Sequence, residues 1–368
     1  MNHRYLRLFA GSICVCLFSS ALWADAEPDA PHVLFVRGAD RSGGFLEAGN
    51  DAARTEQLAD INNESTNNGN HGWFEFASLL RSEGYIVEQV TEPLESDAPS
   101  TGQTDGAPFP FQSTDLTKYR VIVMGSNNAV YDAVQIDAID SFVQAGGGVL
   151  FISDANFGSD WPDAPNSDQQ FLDRFGWTMQ QDQGTNVLRR DAGDFVDPAN
   201  PVLVGVDAFD GEGVSPIVAP ISDIVGVRST IVVRARPGSN TRNNDSTSGQ
   251  GSSRGVGPQD AALCIGYAGA GRIAGHYDRN TFFNDRGAGT NIGRFDNATY
   301  AQNLIRWLAF GEHDRDADFD VDIDDLHIQN QSTVDVNGDG LANSEDIELT
   351  MIVTRSRETS DLHNQQTP

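Results

Sequence analysis

Short β-rich runs alternate with amphipathic helical segments along the middle of the chain, and this alternation constrains the fold most. The pattern is typical of a parallel sheet covered by helices. We predict strands at residues 32–36, 85–90, 120–124, 149–153, 231–234, 262–267 and 272–275. We predict helices at residues 73–81, 134–145 and 298–310, each followed by a glycine stop signal. The sequence therefore predicts a large α/β domain.

The N-terminal segment has the pattern of a secretory signal peptide. Arg4 and Arg7 precede an apolar stretch at residues 8–22, and Ala24 supplies a small residue for cleavage. The stretch is shorter than the roughly 20 residues that a membrane-spanning helix needs. We expect residues 1–24 to be removed and the mature protein to lie outside the cytoplasm, in the periplasm or at the cell surface. We expect no membrane span.

The chain is strongly acidic, with 53 acidic residues against 24 basic ones and a net charge of -29. Nucleic acids and anionic membranes are therefore excluded as preferred partners. The acidic surplus is concentrated after residue 311, which predicts a separate unit at residues 311–356 beside the domain at 25–310. Residues 239–258 are polar and predict a mobile loop, and residues 357–368 predict a disordered tail.

Residues 335–346 have the spacing of an EF-type calcium loop. Calcium takes six to eight hard oxygen ligands, and side-chain oxygens at positions 1, 3, 5, 9 and 12 surround one point. A glycine at position 6, Gly340, permits the positive φ that the turn requires. The alternative is a solvated acidic tail. The predicted ligands, including a carbonyl at position 7, are Asp335, Asn337, Asp339, Leu341, Asn343 and Asp346.

The same spacing also occurs earlier in the chain, at residues 314–325. We call residues 314–325 the first acidic loop and residues 335–346 the second acidic loop. The first acidic loop departs at position 6, where Phe319 replaces glycine, so we expect weaker binding or a shifted register. Its aspartates repel one another without a cation, which predicts that folding here is coupled to calcium. The predicted ligands are Asp314, Asp316, Asp318, Asp320, Asp322 and Asp325.

The two loops, each followed by an apolar helical segment, resemble a type I dockerin over residues 311–356. The resemblance implies calcium binding, a cohesin-like or cell-surface partner, and a role in polysaccharide degradation. Positions 10 and 11 usually help to choose the partner, often as a Ser/Thr pair. Here they are Ile323 and Asp324, then Ser344 and Glu345, so the sequence departs from that pattern.

Short motifs also follow one another in a fixed order through the large domain. They are VLFVRG at 33–38, NHGW at 70–73, GYIV at 84–87, YRVIVM at 119–124, GGGVLFIS at 146–153, GRIAGHYD at 271–278 and NLIRWL at 303–308. Together they resemble the class I glutamine amidotransferase-like superfamily, and within it the trehalose-utilisation (ThuA-like) proteins. The resemblance implies a flavodoxin-like parallel sheet covered by helices, followed here by a small helical calcium-loop module.

The chain lacks the cysteine that these amidotransferases place on the turn after a central strand. The turn that follows residues 149–153 begins Ser153-Asp154. Cys264 lies in an apolar run and is interpreted as a buried structural thiol. Ser153 lacks the Gly-x-Ser-x-Gly context of an exposed nucleophile, so a triad of Ser153 with His276 and Asp278 is disfavoured.

Polar residues near the predicted strand ends form a candidate pocket, because ligands of open α/β sheets bind beyond the carboxyl ends of the strands. These residues are Asp40, His71, Asp154, His276 and Asp278. Such a cluster can hold a sugar or a metal, or it can be hydrogen-bonded turn structure. The polar segment at residues 40–70 is likewise either a ligand loop or a surface insertion.

The preferred interpretation is an exported calcium-binding protein whose large domain binds or helps to process carbohydrate without cysteine-triad glutaminase activity. One alternative is a non-catalytic scaffold or interaction domain. A second is a hydrolase of unknown substrate that uses the carboxylates. The calcium module supplies the carbohydrate context by analogy alone. No catalytic residue is predicted.

Overall fold

The structure is a computed structural model. It describes residues 30–38, 59–64, 72–93, 107–126, 129–152, 166–179, 187–211, 214–218, 226–236, 260–285, 289–311, 313, 321, 323–338 and 340–364. The predicted signal peptide, the predicted mobile loop at 239–258 and most of the segment at 40–70 lie outside these residues.

Strands and helices alternate through the domain. The strands are β1 (His32–Arg37), β2 (Ile86–Thr91), β3 (Tyr119–Ser126), β4 (Gly148–Ile152), β5 (Thr178–Met179), β6 (Val187–Arg189), β7 (Ala208–Asp210), β8 (Ile217–Val218), β9 (Val227–Arg234), β10 (Asp260–Ala268) and β11 (Gly271–His276). The helices are α1 (Phe74–Ser82), α2 (Ala133–Gln144), α3 (Asn166–Arg174), α4 (Asn297–Phe310), α5 (Ile323–Gln331) and α6 (Ser344–Asn364).

The main sheet has a parallel half and an antiparallel half. Its order is β2-β1-β3-β4-β11-β10-β8-β5, with β9 also paired to β10. Strands β2, β1, β3, β4 and β11 run parallel, whereas β10 runs antiparallel to β11, β9 and β8. The mixed α/β architecture is consistent with a flavodoxin-like fold.

The antiparallel half adds to the predicted parallel sheet a feature that the sequence analysis did not predict. Gly269 and Ala270 alone connect β10 to β11, and Gly269 has a φ of 61°. A two-residue connection joins antiparallel strands, because parallel neighbours need a crossover of a dozen or more residues.

The central strands are buried on both faces, which explains their nearly continuous apolar sequences. In β1, Val33 and Phe35 belong to one buried cluster, and Leu34 and Val36 belong to another. Alternate side chains of a strand point to opposite faces. Helices α1 and α4 cover the first face, and α2 and α3 cover the second.

The predicted helices are confirmed to within one residue at each end. Helix α2 begins after Asp132, whose side chain accepts hydrogen bonds from the backbone N–H groups of Val134 and Gln135. Helix α4 ends at Gly311, which has a φ of 56°. Helix α3 was not predicted, because its sequence is largely polar and its apolar pair, Phe171 and Leu172, gives no clear periodicity.

Helices α5 and α6 pack against each other and against the α/β domain. Val321 and Val353 belong to the same buried cluster as the side chains beneath α1 and α4. Helix α6 continues to Asn364, past residue 356, and so takes in much of the segment predicted to be a disordered tail. Described residues of the acidic C-terminal segment therefore pack against the α/β domain.

No helix in the described part of the chain is long and apolar enough to cross a membrane.

The packing of Trp73 on β3 gives a test of the fold. A Cβ atom at Gly125 would overlap the six-membered ring of Trp73. We expect Gly125→Ala to lower the free energy of unfolding by about 1–3 kcal/mol, because overpacking displaces a buried side chain. Urea denaturation measures this loss. The same substitution in a Trp73→Leu background should cost less, and an equal cost in both backgrounds would contradict the packing.

Candidate functional site

The parallel strands end at one edge of the sheet, and two of the predicted pocket residues lie there. His276 is the last residue of β11 and pairs with Ile152, the last residue of β4. Asp278 follows two residues later. Asp40, His71 and Asp154 lie outside the described residues, so the structure brings together only His276 and Asp278 from the predicted pocket.

The imidazole of His276 is buried, and each of its nitrogens has a hydrogen-bond partner. The Nδ1 atom lies 2.9 Å from the Tyr300 hydroxyl, and Nε2 lies 2.9 Å from the Thr281 hydroxyl. Thr281 donates its own proton to the Asp210 carbonyl at 2.8 Å. Thr281 must then accept from Nε2–H, so Tyr300 donates to Nδ1. This assignment gives a neutral ring.

Aromatic rings complete the enclosure of His276. The centroids of Phe282, Tyr277 and Tyr300 lie 4.9, 5.0 and 5.3 Å from that of the imidazole. Burial lowers the pKa of His276 to about 3, because the charged ring would lose its hydration. A neutral ring with both nitrogens engaged is not placed to accept a proton from a solute.

Asp278 is fully buried and caps a turn. Its Oδ1 accepts a hydrogen bond from the Asn280 N–H at 3.1 Å, at the start of the 3₁₀ turn Arg279–Phe282. A Cβ atom at Gly211 would stand 2.7 Å from Asp278 Oδ2, so the neighbouring backbone packs closely against the carboxylate. For His276 and Asp278, this geometry favours the alternative of hydrogen-bonded turn structure.

A buried carboxylate beside this turn, Asp210, was not singled out by the sequence analysis. Its Oδ1 accepts from Asn297 Nδ2 at 2.9 Å, and its Oδ2 lies 3.0 Å from Nη2 of the half-exposed Arg294. Asn297 also accepts from the Asp210 N–H at 2.9 Å. These partners are far apart in sequence, so no local pattern signals them.

Cys264 lies in β10 and is completely buried, as the sequence analysis predicted. Burial raises the pKa of its thiol, because the thiolate would lose its hydration. A protonated, inaccessible thiol is unsuited to nucleophilic attack. The turn after β4, where an amidotransferase carries its cysteine, lies outside the described residues.

Trp73 stands near the ends of β1 and β3 and has an unusual feature. Its ring packs edge-on against Phe35, Phe76 and Phe282 and lies over Gly125. The indole is 1% exposed, yet its Nε1–H finds no hydrogen-bond acceptor among the described residues. Leaving a buried donor unsatisfied costs about 1–3 kcal/mol. Sequence reasoning identified Trp73 only as the start of a helix.

The loop at residues 335–346 is curled by its own hydrogen bonds. The Gly340 N–H donates to Asp335 Oδ2 at 2.6 Å, which joins positions 1 and 6. Gly338 and Gly340 have φ values of 72° and 81°, in the region that favours glycine. The glycine predicted to make this turn therefore does so.

Asp346 anchors the end of the same loop and is completely buried. Its carboxylate oxygens accept from the N–H groups of Val336 and Asn343, at 2.9 and 2.8 Å. Asn343 in turn accepts from the Glu345 N–H at 2.8 Å and begins α6. A carboxylate oxygen that accepts one such hydrogen bond keeps a lone pair for a cation. The oxygen ligands of this loop therefore fit calcium chemically.

Several other predicted calcium ligands belong to segments outside the described residues. Asp339 and residues 314–320 and 322 lie outside the described part of the chain. Asp325 is described and lies buried in the first turn of α5. In the described ranges, no group of three or more His, Cys, Asp or Glu side chains is arranged to hold a metal ion.

Comparison with known protein families gives one match. A family profile described as "Domain of unknown function (DUF4350)" matches residues 65–305. The match begins before α1 and ends within α4. No curated protein matches the chain.

Several solved structures are remotely similar. The mmIFT52 N-terminal domain is 12% identical, with 76% of this chain and 98% of that chain covered and a TM-score of 0.45. A protein described as thua-like from Parabacteroides merdae is 12% identical, with 76% and 90% covered and a TM-score of 0.40. A second, from Bacteroides uniformis, is 14% identical, with 78% and 96% covered and a TM-score of 0.39. The similar structures thus include ThuA-like proteins, the group that the motifs resemble.

The buried histidine predicts a specific pH dependence of stability. Unfolding returns the pKa of His276 from about 3 towards its ordinary 6.5, so the unfolded chain binds the extra proton. The stability from the neutral ring is present above pH 6.5 and falls by up to about 1.4 kcal/mol per pH unit on acidification towards pH 3. His276→Gln should be less stable than wild type at neutral pH, and the gap should narrow on acidification.

Urea unfolding between pH 7.5 and pH 4 measures this gap. His327→Gln, at an exposed histidine of α5, is the control and should follow the wild-type curve. A constant difference between wild type and His276→Gln would contradict the assignment of a neutral buried ring.

Proposed function

The chain belongs to the DUF4350 family through residues 65–305, and from this premise we propose that it is an exported calcium-binding protein whose α/β domain binds carbohydrate. The α/β domain acts in binding and not in glutamine hydrolysis. The observation that carries the calcium proposal is the curled loop at residues 335–346, with Asp335 bonded to Gly340 and Asp346 pinned at its far end.

Export is proposed from the N-terminal segment. Arg4 and Arg7, the apolar stretch and Ala24 form the pattern of a signal peptide, although Leu22 is larger than usual at a cleavage site. The periplasm or the cell surface contains calcium at concentrations that weak extracellular loops can bind. Export and calcium binding are therefore compatible.

The proposed calcium ligands of the second loop are Asp335, Asn337, Asp339, the carbonyl of Leu341, Asn343 and Asp346. The first loop is proposed as a weaker site because of Phe319. A cation would offset the repulsion among these carboxylates and so stabilise the fold around α5 and α6. As in the dockerins that these loops resemble, the proposed partner is a cohesin-like or cell-surface protein. The exposure of Ile323 and Leu341 supports such a contact.

Carbohydrate is proposed as the ligand of the α/β domain from the polysaccharide context of the dockerin-like loops and from Trp73. An acceptor on a ligand would satisfy the buried indole N–H near the strand ends. Sugars present many hydroxyl oxygens that can accept such a bond. Residues Asp40, His71 and Asp154 remain proposed pocket residues from the sequence.

A scaffold without a small ligand is the second candidate. It is favoured by His276, because a neutral imidazole enclosed by aromatic rings and bonded at both nitrogens stabilises the fold and offers no general base. The same observation disfavours the hydrolase alternative. The scaffold and the carbohydrate-binding protein differ in whether the strand-end edge accepts a sugar.

Calcium binding is tested by titrating calcium into the purified, chelator-treated protein in a calorimeter. We expect heat of binding in wild type and at least about tenfold weaker binding in Asp335→Asn or Asp346→Asn, because each substitution removes a charged ligand. The control, Glu345→Gln, removes a neighbouring charge at a position that is not a predicted ligand. This variant should bind calcium as wild type does. Equal losses in all three variants would indicate diffuse acidic attraction and sink the proposed site.

Carbohydrate binding is tested with a panel of neutral and acidic oligosaccharides. We expect at least one class to bind, and Trp73→Phe to weaken it about 10-fold by removing the indole N–H while keeping an aromatic ring. Trp307→Phe, at a buried tryptophan of α4, is the matched control and should bind as wild type does. Absence of binding to every member of the panel would favour the scaffold.

A further inference from the structure

Three side chains form a row across the antiparallel half of the sheet. Tyr267 on β10 lies directly opposite Arg228 on β9 and Arg272 on β11. Residues directly opposite each other on antiparallel strands project from the same face. We call Arg228, Tyr267 and Arg272 the cross-strand row.

The second acidic loop rests on this row. Arg228 Nη1 donates a hydrogen bond to the main-chain carbonyl of Asn337 at 2.9 Å. A Cβ atom at Gly338 would stand 2.6 Å from the Tyr267 ring, so the loop backbone lies against that ring. Asn337 is position 3 of the proposed calcium loop. The row therefore contacts the loop at a ligand position and at the residue that follows it.

The third member of the row holds the end of α4, from which the acidic segment begins. Arg272 is 1% exposed, and its Nε and Nη2 donate to the Leu308 carbonyl at 3.3 and 3.2 Å. A Cβ atom at Gly311 would stand 2.5 Å from Arg272 Nη1. The row thus fixes both the start of the acidic segment and its second loop.

Apolar packing and a buried hydrogen bond attach α6 beside the row. A Cβ atom at Gly146, after α2, would stand 3.4 Å from Val353. His313 Nδ1 lies 3.0 Å from the Thr350 hydroxyl, and both residues are buried. Both contacts require α6 to be folded. The loop that leads into α6 is therefore held by the cross-strand row on one side and by α6 on the other.

We propose that the second acidic loop is a calcium-dependent clasp on the α/β domain. The inference rests on the proposed calcium function and adds its coupling to the fold. Arg228 and Tyr267 hold the backbone at a ligand position, so they favour the conformation that binds calcium. Calcium binding must then stabilise the contact of the loop with β9 and β10, because coupling between two binding events is reciprocal. The module acts as a fixed part of the domain.

The test compares wild type, Arg228→Gln and the matched control Arg234→Gln, which alters an exposed arginine of the same strand. Calorimetry gives the calcium affinity of the full-length protein. Hydrogen exchange gives the protection of β9 and β10 amides with calcium and with chelator. We expect calcium to raise protection in wild type and in Arg234→Gln. Arg228→Gln should bind calcium about tenfold more weakly and show a smaller rise.

A second variant guards against a general loss of folding. Arg228→Lys keeps the charge and should recover part of the affinity, and far-ultraviolet circular dichroism shows whether each variant is folded. Calcium could bind equally well to wild type and Arg228→Gln and leave the hydrogen-exchange protection of β9 and β10 unchanged. That result would show that the clasp is wrong, and the calcium function would stand. If wild type takes up no calcium, both the calcium function and the clasp are overturned.

Discussion

Strand β11 and helix α4 are joined at both ends by hydrogen bonds between buried polar groups, and the rest of the structure depends on this pairing. His276 bonds to Tyr300 at one end, and Arg272 bonds to the Leu308 carbonyl at the other. The spacings match, because four residues of strand span about 13 Å and eight residues of helix span about 12 Å. Buried polar groups must be satisfied, so a helix shifted by even one turn would leave both pairs broken. The pairing fixes the register of α4 on the sheet.

The two ends of β11 make different contacts and so have different roles. At the carboxyl end, His276 serves the fold, and neither its neutral ring nor the buried thiol of Cys264 is placed to act as a base or a nucleophile. Trp73 remains at that edge as a buried donor without an acceptor among the described residues. A buried donor without an acceptor in the described residues supports the proposed ligand more strongly than a histidine that the fold already uses. In the described part of the chain, these polar groups therefore support the proposed binding function at the strand ends.

The sequence predicted what depends on local pattern and missed what depends on distant partners. Apolar runs and the glycines after each helix placed α1, α2 and α4 and most central strands. The burial of Cys264 followed from its apolar neighbours. The pairing of Asp210 with Asn297, and of Asn284 Nδ2 with the Asn63 carbonyl, joins residues far apart along the chain. Residue types alone cannot show whether a polar side chain is already satisfied. For that reason, His276 and Asp278 could be interpreted from the sequence either as residues of a ligand pocket or as residues of a hydrogen-bonded turn.

The amino-terminal end of β11, which carries Arg272, helps to explain how an acidic module can belong to an acidic protein. The carboxylates of this module contribute to the net charge of -29 and raise self-repulsion unless cations oppose them. The fold places Arg228 and Arg272 beneath the acidic segment, and calcium would add further positive charge within the loop. Arg272 lies about 13 Å along β11 from His276 at the strand-end edge, beyond direct contact. In the proposed calcium-bound form, calcium would therefore stabilise the domain at the end of β11 opposite the edge of the proposed ligand.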